Sequence, residues 1–387
     1  MKQHLIESFK QFFQRTDGMS FYSPGRVNLI GEHIDYNGGF VFPCALSYGT
    51  YAIAALRTDR MIRVYSEPFS KAPYMFSLDN IKKDDHEAWA NYIKGSIQAL
   101  LDHGYNISYG VDIYMTGTMP VSAGLSSSAS LEMLIIFMLN HFFSLSIGIK
   151  DMAKLGKYAE NHFVGVNSGI MDQFAVIAGK KDHAILLNTE SLDFKYVPLK
   201  LNEESLLIIN TNKKRGLADS KYNERFSESQ QALNIAKNHY KIENLCQLTL
   251  DELSHLEPRM SPLLFKRSRH IVTEQWRTIA SKEALVKGDI SSFSKLMTES
   301  HLSLKDDYEV TCKELDLLQQ ALLDEGALGA RMTGAGFGGC VVAIVPTIKK
   351  DIIKQHVEKI YKSNIGYAPT FYEVEPSDGT KLISPIK

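Results

Sequence analysis

The sequence is poor in cysteine, with 4 in 387 residues, at Cys44, Cys246, Cys312 and Cys340. They stand far apart and form no Cys-x-x-Cys pair. That excludes a disulfide-stapled scaffold and a thiolate metal site of ordinary spacing, and such usage suits a reducing compartment. Surplus charge is missing too: 43 Lys and Arg face 44 Asp and Glu, for a net charge of −1. This balance gives no electrostatic case for nucleic acid or an anionic membrane as the main partner. Lys213, Lys214 and Arg215 form the most basic cluster, and a triplet reads as solvated surface. The strongest apolar run, residues 131–143, is too short to span a bilayer and carries Glu132 and Asn140. Residues 1–15 are amphipathic and charged throughout, unlike a signal peptide. The expectation is a cytoplasmic protein. A GxxxxGK[ST] sequence is absent, so this is not an ordinary P-loop protein. At this length two domains are expected. No internal repeat or low-complexity linker interrupts the chain.

What is present concentrates in three places. Residues 119–130, MPVSAGLSSSAS, lie between an alternating apolar run at 111–115, read as a strand, and the apolar helix at 131–143. Gly124 lets the backbone approach a ligand closely. Ser126, Ser127 and Ser128 offer hydroxyls and N–H groups at a helix N-terminus, a geometry suited to an anion such as phosphate. A serine N-cap after a tight turn is the alternative.

The second place is residues 21–39. A turn leads into an apolar segment and then into Glu32, His33 and Asp35 ahead of Gly38 and Gly39. Arg26, Glu32, His33 and Asp35 either converge on a polyhydroxylated ligand or pair among themselves at the surface. Two carboxylates and one histidine make a weak metal set. The third is the glycine loop, where Gly334, Gly336 and Gly339 spell GxGxxG. A dinucleotide fingerprint needs a strand before and a helix after. Here the order reads helix, loop, strand, so that fingerprint is rejected.

Between these places the pattern predicts a helix over 5–13 and strands within 40–66, with turns near Gly49 and Asp59. A helix opens at Trp89, whose ring either stacks on a base or anchors the core. An amphipathic helix over 151–163 contains Glu160, and a turn at 166–174 enters another helix. Asp172 there is flanked by Met171 and Phe174. It is either a helix cap or a partly buried carboxylate that needs a partner, such as an arginine. Strands are read at 184–187 and 206–209, with a domain boundary inside 189–204. Helices follow over 220–237, 249–255, 262–287, 290–303 and 313–326. A loop at 329–340 then precedes a strand at 341–345. Taken together, the features imply phosphate plus a polar small molecule.

On these residues the chain resembles the galactokinases of the GHMP small-molecule kinase superfamily. GRVNLIGEHIDYNGG at 25–39 is similar to the galactokinase signature. AGLSSSAS at 123–130 resembles the superfamily phosphate loop, and GARMTGAGFGGC at 329–340 its third motif. NSGIMDQFA around Asp172 and SKYNERF around Tyr222 follow in matching order. The resemblance covers essentially the whole chain. It implies an α+β fold of two domains, about residues 1–190 and 191–387, with the active site in the cleft between them. The first would resemble ribosomal protein S5 domain 2. The implied activity is ATP-dependent phosphorylation of galactose at its anomeric C1 hydroxyl, giving galactose 1-phosphate and ADP.

By the same resemblance, Glu32, His33, Asp35, Gly169, Asp172 and Tyr222 line the sugar site, and Arg26 and Asp172 flank the reacting hydroxyl. Ser128 and Glu160 hold Mg2+. Ser122, Ala123, Gly124, Leu125, Ser126, Ser127 and Ser128 wrap the triphosphate, with Trp89 near the adenine. Gly334, Gly336, Gly338 and Gly339 form a supporting loop. Galactose and ATP are the implied partners, without nucleic acid, membrane or an obligatory protein. Three positions depart from the family: Ser122 replaces a usual glycine, Ala88 a basic residue of some relatives, and Phe226 a common second arginine. Phosphoryl transfer depends mostly on positioning and charge stabilisation. Asp172 is then either a general base or an orienting group, since a neighbouring guanidinium favours the ionised carboxylate and weakens it as a base. The alternatives are a kinase for N-acetylgalactosamine, galactosamine or arabinose, and a non-catalytic galactose sensor. A sensor should carry damage in the Ser loop or at Arg26 and Asp172, and none is seen.

Overall fold

A computed structural model describes residues 2–67, 69–70, 72–119, 124–166, 168–213 and 218–386. The chain begins with helix α1 (Lys2–Phe13) and strands β1 (Met19–Asn28), β2 (Phe40–Val41), β3 (Pro43–Leu56), β4 (Met61–Ser66) and β5 (Tyr74–Ser77). Helix α2 (Ala90–Asp102), strand β6 (Val111–Gly117) and helices α3 (Ser127–Phe142), α4 (Ile149–Tyr158) and α5 (Met171–Ala178) follow. Next come β7 (His183–Asn188), β8 (Phe194–Pro198) and β9 (Glu204–Asn210). Helices α6 (Ala218–Lys237), α7 (Leu250–Leu256), α8 (Pro262–Val286), α9 (Ile290–Asp306) and α10 (Lys313–Asp324) occupy the second half. The chain ends with β10 (Gly329–Thr333), β11 (Cys340–Pro346), α11 (Lys350–Ile365), β12 (Thr370–Val374) and β13 (Lys381–Pro385).

Among the described residues these strands form three sheets. One has the order β13-β1-β3-β6-β4-β5, the second β10-β11-β9-β12, and a small third β2-β7-β8. Pairing is antiparallel except between β4 and β6. Residues 133–139 of helix α3 are all apolar, the mark of a helix segment surrounded by protein. Met133, Leu134, Ile135 and Ile136 are all fully buried. α3 packs on β1 and β3 on one side and on α2, α4 and α5 on the others. Its N-terminus therefore ends at a fixed point beside β1. In the second half, α8 lies along α9, and α9 covers β10. No helix of the described residues is long and apolar enough to cross a membrane.

Several local expectations give way. The turn expected near Gly49 is absent, because β3 runs straight through it. A Cβ there would collide with the Ser23 carbonyl of β1, so the glycine serves strand approach rather than chain reversal. The turn read before Arg26 is a register shift in β1, between Pro24 and Arg26. Such bulges re-aim a side chain, and here the side chain is that of Arg26. Residues 329–333, read as loop, are strand β10. The rejection of the dinucleotide fingerprint stands, since β11 and not a helix follows the glycines. Strand β8 lies inside the segment read as a boundary, and β13 returns to pair with β1.

Candidate active site

A cleft of about 560 Å³ lies where β1, the N-terminus of α3, the start of α5 and the glycine loop converge. Arg26 and Asp172 stand at its centre. Arg26 Nε and Nη2 donate to the two Asp172 oxygens, each at 2.7 Å, a bidentate pair. Ser126 Oγ donates to Asp172 Oδ2 at 2.6 Å. The Ser loop is tied to the same arginine, because the Gly124 carbonyl accepts from Nη1 at 3.0 Å and the Leu125 carbonyl from the Arg26 amide at 3.1 Å. Gly124, Ser126, Ser127 and Ser128 line the cleft, whereas the Leu125 side chain points into the core. Ser122 and Ala123 lie outside the described residues.

Glu32 is buried beneath this centre. Arg331 Nη2 approaches one of its oxygens at 3.1 Å, and the Asn28 amide and the Gly334 N–H donate to the carboxylate. His33 adopts φ +62, a left-handed conformation that is rare without glycine. Its Nε2 faces the Ala335 carbonyl at 3.2 Å, so that nitrogen carries the proton. Nδ1 then accepts from Tyr36 Oη at 2.8 Å, and Tyr36 accepts from Tyr308 Oη at 2.8 Å. Burial, helped by His270, pushes the imidazole down to about 3, so His33 is neutral at neutral pH. Both ring nitrogens have protein partners, and it is the ring that walls the cleft. The Tyr222 ring lies 5.6 Å from His33 and 5.4 Å from Tyr36.

Among the described residues Asp35, unlike Glu32, has no ion-pair partner, and Lys157 lowers its carboxyl less than burial and the acidic neighbours raise it. Burial, then the charges of Asp172 and Glu32, push its carboxyl up to about 7. A carboxylate accepts sugar hydroxyls better than its acid form does. Affinity for a polyhydroxylated ligand, measured by calorimetry, should therefore rise with pH through about 7, and the step should vanish in Asp35→Asn. An unchanged profile in that variant would remove Asp35 from the effect. Gly169 is pressed against the same group, since a Cβ there would overlap Asp35 Oδ2. Gly169→Ala should displace Asp35 and weaken sugar binding by roughly tenfold or more, because a displacement of about 1 Å is enough to spoil a positioned site. A wild-type dissociation constant would show that Asp35 can move without consequence.

Glu160 marks the other end of the cleft. The chain after α4 continues as a π-helical turn over Ala159–Val164, an arrangement enriched at functional sites. Ser168 Oγ donates to Glu160 Oε2 at 2.6 Å, Gln173 Nε2 donates at 2.8 Å, and the Ser128 hydroxyl also bonds the carboxylate. Burial raises the Glu160 carboxyl above its usual range. Trp89 is not among the cleft residues. Its ring stacks on Phe69 at 6.1 Å and its Nε1 donates to Glu87 at 2.6 Å, while Tyr92, one turn along α2, lines the cleft. Of the glycine loop, Gly334 and Ala335 reach the cleft. Gly336 and Gly338 pack on Val310 and Lys213, and the Gly339 carbonyl accepts from Thr211.

Sequence reasoning missed Arg331, Glu274, Tyr36, Tyr308, Ser168 and Gln173. An arginine and a tyrosine inside glycine-punctuated motifs were the available signals for Arg331 and Tyr36. Glu274 sits mid-helix, with no local mark.

Comparison with known proteins gives a consistent result. A galactokinase galactose-binding signature matches residues 7–56. The GHMP kinases N terminal domain matches residues 91–180, and the GHMP kinases C terminal domain residues 281–363. A galactokinase of Clostridium acetobutylicum is 49% identical over 386 residues, covering 98% of both chains. One of Ligilactobacillus salivarius is 48% identical over 387 residues, covering 99% of this chain and 100% of that one. The crystal structure of Lactococcus lactis galactokinase complexed with galactose superposes with a TM-score of 0.95 at 42% identity, covering 99% of this chain and 100% of the other. Methanococcus jannaschii mevalonate kinase shares the fold, with a TM-score of 0.63 at 21% identity over 94% of this chain and 100% of that one.

Proposed function

The chain belongs to the galactokinase family of the GHMP kinases and is an ATP-dependent kinase of galactose, and from that premise we propose how its residues divide the work. The transfer goes to the anomeric C1 hydroxyl. Asp172 orients that hydroxyl and receives its proton as the phosphoryl group arrives. Arg26 holds Asp172 through two hydrogen bonds and sets its direction. Glu32, Asp35, Gly169 and Tyr222 frame the sugar, with the His33 ring as a wall. Gly124 and Ser126–Ser128 carry the phosphates of ATP at the N-terminus of α3. The adenine lies toward Trp89 and Tyr92. The observation that carries this reading is the bidentate Arg26–Asp172 pair bonded directly to the Ser loop. It joins the sugar side to the phosphate side through one carboxylate.

Mg2+ takes hard oxygen donors and is held through one or two carboxylates plus substrate phosphates. The Ser128 hydroxyl and the Glu160 carboxylate are such a set, and both line the cleft. When bound, Mg2+ would neutralise charge on the phosphates. The remaining work belongs to protein groups, which position both substrates and exclude water. The chain divides near residue 190 into two lobes, with β13 returning to the first. The free cysteines suit a reducing, cytoplasmic setting.

A coupled ADP-release assay with Mg-ATP tests the reading. The panel is galactose, glucose, N-acetylgalactosamine, galactosamine and arabinose. Turnover with galactose far above the others is expected. A preference for another sugar would move the selectivity away from the Glu32–Asp35 frame. Galactose-dependent thermal protection without ADP release would mark a sensor.

A further inference from the structure

Helix α3 holds one acidic residue, Glu132, fully buried at the head of the apolar run Met133–Ile136. A lone carboxyl in such surroundings is costly unless it is hydrogen-bonded. Its hydrogen-bond partner among the described residues is Gln173, whose Nε2 donates to Glu132 Oε2 at 3.0 Å. The same nitrogen donates to Glu160 Oε2 at 2.8 Å. One amide nitrogen thus spends a hydrogen on each of two carboxyl groups. The two remaining oxygens, Glu132 Oε1 and Gln173 Oε1, are both buried without a partner among the described residues. A single proton on Glu132 would let the acid and the amide pair reciprocally, which accounts for both. Burial pushes the Glu132 carboxyl well above its usual range, in keeping with a neutral acid.

The surroundings leave this amide little freedom. Gly156 of α4 backs onto it, where a Cβ would stand 2.9 Å from Gln173 Cγ. Gln173 also follows Asp172 on α5, so consecutive residues reach toward the two ends of the cleft. We propose that Glu132 and Gln173 are positioning residues that fix the rotamer of Glu160 and so set the metal–nucleotide end of the site. Neither touches substrate. The inference rests on the reading of Glu160 as a metal-side carboxylate. Groups that orient a metal ligand are commonly worth 10- to 100-fold in affinity.

The test compares Glu132→Gln, Glu132→Leu, Gln173→Met and Glu160→Ala with the wild-type protein. Mn2+ binding is read by electron paramagnetic resonance in the presence of a non-hydrolysable ATP analogue, and galactose binding by calorimetry. Glu132→Leu and Gln173→Met should weaken Mn2+ binding by roughly tenfold with galactose affinity unchanged. Glu132→Gln keeps the pairing of a neutral acid and should bind Mn2+ like the wild type. Wild-type Mn2+ binding in both apolar variants, with a loss in Glu160→Ala, overturns the relay and leaves Glu160 in place. Wild-type binding in Glu160→Ala removes the metal reading and the relay with it. Joint loss of galactose and Mn2+ affinity, or failure of both apolar variants to fold, would make the cluster a structural element only.

Discussion

Asp172→Asn should keep galactose and nucleotide binding while turnover falls by about 10²- to 10⁴-fold, the usual span for a lost proton acceptor. The substitution preserves shape and removes charge, so it separates orientation from proton transfer. Asp172 accepts three hydrogen bonds in the free enzyme, two from Arg26 and one from Ser126. An asparagine has one oxygen and would turn its amide donor against the guanidinium in either orientation, and in one of them against the serine as well. Arg26 is 6% exposed and would lose half of its bidentate partner. Thermal stability must therefore be measured beside activity, because leaving a buried charge half-paired has its own cost. The distinguishing result is a split, with galactose affinity held and kcat lost. Near-normal kcat would take Asp172 out of the chemistry. Equal loss of affinity and kcat would make it a scaffold for the sugar pocket.

Glu32 to Asp35 and the serines of the phosphate loop stood out in the sequence because both sites are built from neighbours in the chain. Each announces itself by residue type and by glycine punctuation, which are local signals. The support of those residues is not local. Glu32 is held by Gly334 and Arg331, some 300 positions away, and Glu160 is aimed through Gln173 from a different helix. No periodicity encodes such pairs. The helices of the second half were legible from their long 3.6-residue pattern. Strand β8, PheLysTyrValPro in sequence, was not, because it mixes exposed and buried positions at a sheet edge. Glycine misled twice in the same way. At Gly49 and at 329–333 glycine points to chain reversal or loop, whereas both lie in strands where neighbouring backbone comes too close for a side chain.

Glu274→Leu should lower stability by about 3–5 kcal/mol, a large share of the roughly 5–15 kcal/mol that holds a domain. Glu274 is fully buried on α8. Its Oε1 accepts from the amides of Gly31 and Glu32 at 2.9 and 3.3 Å and from Ser300 Oγ at 2.6 Å. Its Oε2 accepts from Arg277 Nε at 2.8 Å. Leucine would fill the space and leave these donors, one of them charged, unpaired in the interior. The two amides belong to the loop that presents Glu32, so galactose affinity should fall with stability. Acid dependence gives an independent check. Burial alone would raise the Glu274 carboxyl, but Arg277, His270 and Arg331 outweigh it and bring it to about 2 from 4.5. A carboxyl depressed on folding contributes its stability above the unfolded value and loses it as pH falls from 4.5 toward 2. The amount is about 3 kcal/mol. Denaturant midpoints at pH 7 and pH 3 should therefore converge in Glu274→Gln relative to the wild type, since that variant keeps acceptor oxygen but has no proton to gain. A leucine variant within about 0.5 kcal/mol of wild type would mean that Arg277 and the loop amides find other partners, and that the loop carrying Glu32 is set from β10 and Arg331 alone.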